Sequence, residues 1–94
     1  MINFNHNTIE RELFLGNFEK FLAKLLQKPV RTDITFQEMY NFLTCSKIGF
    51  DAHDNGGSHC KFRKGGELLT IPRKDIKPYL IRQVIEKLEN MGLI

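Results

Sequence analysis

Residues 50–73 read FDAHDNGGSHCKFRKGGELLTIPR. Three short segments, Phe50 to Asp54, Ser58 to Arg63 and Glu67 to Pro72, are separated by Asn55-Gly56-Gly57 and Lys64-Gly65-Gly66. Short runs punctuated by glycine turns predict three antiparallel strands in a meander. Pro72 has no N–H to offer a ladder and stands where a strand ends. In a sheet covered on one side, alternate residues face the core and the water. Cys60 and Phe62 are the apolar set of the middle strand, so His59, Lys61 and Arg63 share its outward face. On the first strand Phe50 and Ala52 point inward, with Asp51 and His53 outward. A glycine bulge across Asn55 to Gly57 loosens the relation of His53 to His59.

Working outward, the period changes from two to that of a helix. Upstream, Thr35-Phe36-Gln37-Glu38 is a capping box, with Phe36, Met39, Tyr40 and Leu43 as the stripe behind it. Gly49 is a left-handed break after that helix. Further upstream, Ile9, Leu13, Phe14, Phe18, Phe21, Leu22, Leu25 and Leu26 recur at helical spacing from Thr8 to about Gln27. Pro29 ends that helix, because the residue before a proline is pushed out of the α region. Downstream, a helix starts near Lys77 with Pro78 in its first turn and Ile81, Val84, Ile85 and Leu88 as its stripe. The string α-α-β-β-β-α predicts an α+β domain with helices on one face of a small three-stranded antiparallel sheet.

The 94 residues, of which 41% are hydrophobic and 27% charged, suit one domain with its own core. No apolar run nears the ~20 residues that span a bilayer, and residues 1–8 lack the basic and apolar regions of a signal peptide. A cytoplasmic location without a membrane partner is expected. Cys45 and Cys60 form no disulfide framework and are expected as thiols. The net charge of +3 is uneven: residues 1–56 carry six Lys/Arg against seven Asp/Glu, and residues 57–94 carry eight against four. The positive excess lies wholly in the second part, where it either attracts a polyanion or solvates the surface.

The outward face of the middle strand suits cleavage of an RNA backbone. A 2′-hydroxyl must lose a proton to attack phosphorus, and the departing 5′-oxygen must gain one. Imidazole, with an ordinary pKa of about 6.5, performs either transfer near neutral pH. Lys61 and Arg63 are placed to hold the phosphate, and Arg73 and Lys74 to extend that strip. Taken alone, a histidine on a strand is more often a surface or edge residue than a catalyst, the two cations fit solubilising side chains, and the pattern leaves open whether His59 is acid or base. A zinc site from Cys45, His53, His59 and Cys60 matches no standard ligand spacing, and Cys60 points away from His59. No metal or cofactor is expected. Most of the phenylalanines fall on core stripes, so the aromatic residues do not form a base-stacking platform.

Gly57-Ser58-His59, Phe62, Leu69-Thr70-Ile71-Pro72-Arg73 and Ile76-Lys77-Pro78 before a closing helix resemble, in that order and spacing, the HicA (YcfA-like) toxin family. Asp33 to Glu38 leading to Ile48-Gly49-Phe50 is similar to the first helix of one of its subgroups, which also carries a preceding helix. The resemblance spans roughly residues 18–93. It implies a double-stranded-RNA-binding-domain-like fold with an extra N-terminal helix (8–27) on a core unit (33–93), within a single domain of 1–94. It further implies cleavage of messenger RNA and neutralisation by a HicB-type antitoxin that covers the His59 sheet face. The catalytic histidine of the family's Gly-Ser-His falls on His59. Lys61, Arg63 and His53 inherit no role this way. Lys74 stands where many relatives have a histidine, so the chain either does without that second imidazole or uses Lys74 in its place. Cys60 stands where His is common. The rival expectation is a non-catalytic RNA-binding module of the same shape, with a protein-binding domain as a third.

Overall fold

The computed structural model describes residues 17–94. In chain order these hold α1 (17–25), α2 (Phe36–Thr44), β1 (Asp51–His53), β2 (His59–Lys64), β3 (Glu67–Pro72) and α3 (Pro78–Asn90). The sheet is antiparallel with order β1-β2-β3. The fold is α+β, with three helices and an open three-stranded sheet, as the periodicity predicts. The part of the first helix expected upstream of residue 17 lies outside the described residues.

Each element has a local cause. α2 opens with the predicted capping box: Thr35 Oγ1 accepts from the Glu38 N–H, and a Glu38 carboxylate oxygen accepts from the Thr35 N–H at 3.0 Å. These bonds satisfy two donors that a helix start otherwise leaves bare. α3 places Pro78 in its first turn, where no N–H is needed, and buries Ile81, Val84 and Leu88. Between α2 and β1 the chain reverses at Gly49, with φ +79°, a conformation glycine adopts without steric cost.

The strands are displaced slightly from their predicted limits. β1 spans Asp51–His53 instead of Phe50 to Asp54. The Phe50 N–H donates to the Leu43 carbonyl, at 2.8 Å, and so leaves the ladder. Asp54 turns its carboxylate to the loop that follows. β2 starts at His59 and runs to Lys64, one residue later than predicted at each end, and β3 runs Glu67–Pro72 as predicted.

One hydrophobic cluster joins all six elements. Leu25, Met39, Leu43, Cys60, Phe62, Ile71, Ile81 and Leu88 are within 1% of complete burial, and each of the larger side chains contributes roughly 1.5–3 kcal/mol. Burial alternates along β2 and β3, with Cys60, Phe62, Leu69 and Ile71 inward beneath the helices. The opposite face is left to His59, Lys61, Arg63, Leu68 and Thr70. Among the described residues no polar or charged side chain is buried.

Candidate functional site

His59 is the first residue of β2, opposite Pro72 of β3, and its side chain is exposed on the open face. Ser58 Oγ and His59 Nδ1 lie 3.0 Å apart and share a hydrogen bond whose direction follows the ring tautomer. That contact occupies Nδ1 and leaves Nε2 for another molecule. Lys61 and Arg63 share the face with His59 through the two-residue period of the strand. At about 3.3 Å per residue, Lys61 sits roughly 7 Å along from His59 and Arg63 roughly 13 Å. His53 faces Lys61 across the β1–β2 pair, which makes it a diagonal neighbour of His59 and not its partner.

Residues 54–58 carry the chain into His59, and their shape is set by short polar side chains. Asp54 Oδ1 accepts from the Gly56 N–H at 2.9 Å, and Asn55 Oδ1 from the Gly57 N–H at 3.0 Å. These are two successive Asx turns. Gly56, with φ +81°, completes the reversal.

Arg73 closes this loop onto the end of β3. Its backbone N–H donates to the Ser58 carbonyl at 3.0 Å, its Nε donates to the Gly57 carbonyl, and its guanidinium pairs with Asp54. The same guanidinium lies 4.9 Å from the centre of the Phe36 ring at the start of α2. The Gly56 N–H and, after it, Arg73 hold the Asp54 carboxyl below its ordinary value. The sequence predicts Arg73 in a phosphate-binding strip. Here its Nε and one terminal nitrogen are engaged by a loop carbonyl and a carboxylate, while the residue also lines a cavity beside His59. Its position suits holding Ser58 and His59 in place.

Beside His59 opens a cavity of about 650 Å³, lined by Ser58, Thr70, Pro72, Lys74, Lys77 and Tyr79 among others. Lys74 and Lys77 are exposed, and neither forms an ion pair with another described residue. Of the four cations expected in the site, Lys74 and Arg73 line the cavity of His59, Arg73 with its guanidinium engaged by Gly57 and Asp54, and Lys61 and Arg63 lie along the strand. Ser58 and Lys77 belong to the sequence motifs but are given no site role by them, and Tyr79 belongs to none. The available signal for Tyr79 was an aromatic residue standing two positions before Ile81, off the apolar stripe of α3.

Cys60 is fully buried on the other side of β2. Burial first, and the Asp54 charge second, raise its thiol pKa above the ordinary value and keep it protonated. Both Cys45 and Cys60 are free thiols. Among the described residues no three His, Cys, Asp or Glu side chains are grouped to hold a metal ion. No described helix is long and apolar enough to cross a membrane.

A small α+β domain with a histidine and lysines on an uncovered sheet face is the class that fold and site define. Residues 45–93, which hold the whole sheet and α3, match the family model of the HicA toxin of bacterial toxin–antitoxin systems, and the chain belongs to that family. α1 and the whole of α2 lie ahead of the matched segment. No curated protein and no solved structure gives a significant match.

Proposed function

We propose that this toxin is a metal-independent endoribonuclease that cleaves messenger RNA in the cytoplasm through His59. The observation that carries this reading is the exposed His59, tethered at Nδ1 by Ser58 and opening onto a cavity shared with Lys74. In the reaction the 2′-oxygen bonds to the adjacent phosphorus as its proton passes to a base. The bond to the 5′-oxygen then breaks, and that oxygen takes a proton from an acid. The products are a 2′,3′-cyclic phosphate and a 5′-hydroxyl.

His59 Nε2 performs one of these two transfers. Lys61 and Lys74 offset the charge that builds on the phosphoryl oxygens. Arg63, roughly 13 Å along the strand, is too far for the same phosphate and holds a neighbouring one. Arg73 acts on the chemistry only by holding residues 54–58. The hydrophobic cluster that runs from Leu25 to Leu88 supports a single domain, in which α1 is an addition to the unit that carries the site.

Family membership implies an antitoxin. We assign it the HicB type, and a position over the sheet face that carries His59, Lys61 and Arg63. An acidic surface complements those cations and excludes RNA from them.

The test compares wild type with His59→Ala, both shown to fold, on single-stranded and structured RNA in EDTA. Because proton transfer by a placed side chain contributes about 10²–10⁴-fold, the variant should lose cleavage by a factor in that range. Equal RNA binding without cutting by either protein would establish the non-catalytic binding module instead. Equal cutting by both would move the search to His53 and the lysines.

A further inference from the structure

Tyr79 is the one Phe or Tyr among the described residues that is exposed. It is 59% exposed, whereas Tyr40, packed edge-on against Phe62, is half-buried, as are Phe18, Phe21 and Phe36. Leaving a large ring in water forgoes the burial that the other aromatics obtain. The position is also set by the fold. Pro78 and Tyr79 form the first turn of α3, and Ile81 and Val84 turn the core face of that helix inward. Tyr79 therefore stands off the stripe, at the end of the helix nearest Pro72 and His59, and it lines the cavity that His59 opens onto.

The rest of that cavity says what the ring faces. Lys74 and Lys77 bracket it with positive charge, opposed by the single carboxylate of Asp75, and Thr70 offers a hydroxyl from the sheet. An exposed aromatic flanked by cations, beside a histidine that handles phosphate protons, is the combination that single-stranded nucleic acid uses: charge follows the backbone while a ring takes a base. Pro72 and Leu80 complete the apolar lining beside the ring, an area suited to one base and narrower than the apolar centre of a protein partner's groove.

We propose that this cavity is the subsite for the nucleotide next to the scissile phosphate, with its base stacked on Tyr79 and its phosphate held by Lys74 and Lys77. The inference rests on the ribonuclease reading and adds that the substrate is unpaired at this position. A base in a duplex is already stacked on its neighbours and cannot cover the ring. Cleavage then falls at single-stranded stretches.

The test uses the full chain carrying His59→Ala, so that RNA is bound without being cut, and a fluorescein-labelled single-stranded RNA oligomer. Stacking on an aromatic contributes about 1–3 kcal/mol per base, so adding Tyr79→Ala should weaken binding by roughly 5- to 150-fold. Tyr79→Phe keeps the ring and should bind as the parent does. Inorganic polyphosphate, which has charge but no bases, should bind Tyr79→Ala as tightly as the parent. The chain has two tyrosines and no tryptophan, so RNA should quench the Tyr79 emission and leave that of Tyr40, which is packed against Phe62. Undiminished RNA affinity in Tyr79→Ala would overturn the subsite, as would an equal loss of polyphosphate binding. Loss of antitoxin affinity with RNA affinity intact would assign the ring to the partner. A parent that binds no RNA in any variant would overturn the ribonuclease reading itself. That outcome is distinguishable, because Lys61→Ala and Lys74→Ala would then also be without effect.

Discussion

The two ends of the sheet are both fastened by cations, and the fastenings serve different purposes. At one end Lys64 Nζ donates to the Ile48 carbonyl at 2.8 Å, and Lys87 reaches Glu67 at 2.6 Å. These contacts join β2 to the approach to β1, and β3 to α3. At the other end Arg73 fastens residues 54–58, and what it fastens leads into Ser58 and His59. The turns differ as well. Gly65 and Gly66 have open space around them, and the reversal there needs little beyond a positive φ at Gly65. The loop before His59 uses two Asx turns, a glycine and an arginine to fix five residues. One end is built to close a hairpin, the other to aim a side chain.

The comparison breaks most visibly at Arg73. Arg73→Ala should lower the cleavage rate by about 10–100-fold, since displacing a reacting group by about 1 Å costs on that order. The Tm should move little, because the Asp54 pair is partly exposed and such pairs contribute about 0–1 kcal/mol. A rate equal to wild type would show that the loop holds His59 without the clamp. The opposite end should show the reverse pattern. Gly49→Ala forces a β-carbon into a backbone with φ +79° and brings it to 2.8 Å from Lys64 Nζ. The lysine can swing aside, but the backbone cannot, and roughly 1–2 kcal/mol of stability should be lost. For a chain of this size each kcal/mol lowers the Tm by about 4–8 °C. Cleavage per folded molecule should not change, and a fall in that quantity would mean the two ends are coupled.

Much of this division was legible in the sequence, and the part that was not has a physical reason. The two-residue alternation of Cys60 and Phe62 against His59, Lys61 and Arg63 carried the face assignment, because one buried face fixes which side each residue takes. The Thr35–Glu38 box was legible because its partners are three residues apart. Arg73 and Asp54 are 19 residues apart, and their meeting depends on where β3 ends relative to the loop. No local pattern encodes that. The same applies to Tyr79, whose part in the site follows from the placement of α3 against β3. Lys74 and Arg73 are adjacent cations of one kind to a sequence reader, yet one is exposed and the other is engaged.

The smallest expected effect sharpens the contrast through pH. The Asp54 carboxyl lies below its ordinary 3.8, so its contribution is complete above that value and is lost as pH falls through the lower one. In an amide NMR titration the Gly56 resonance should shift with a midpoint under 3.8, while Gly65 should show no transition there. A Gly56 midpoint at or above the ordinary value would mean that Arg73 and the Gly56 N–H do not hold the carboxylate in solution.

The boundary of the family match has a consequence for inheritance. The matched segment begins at Cys45, yet Leu25, Ile34, Met39, Phe42 and Leu43 are buried in the same cluster as Phe62 and Ile71. A gene shortened to codons 45–93 would encode the sheet and α3 and discard part of their roof. The first two helices must therefore travel with the sheet they cover.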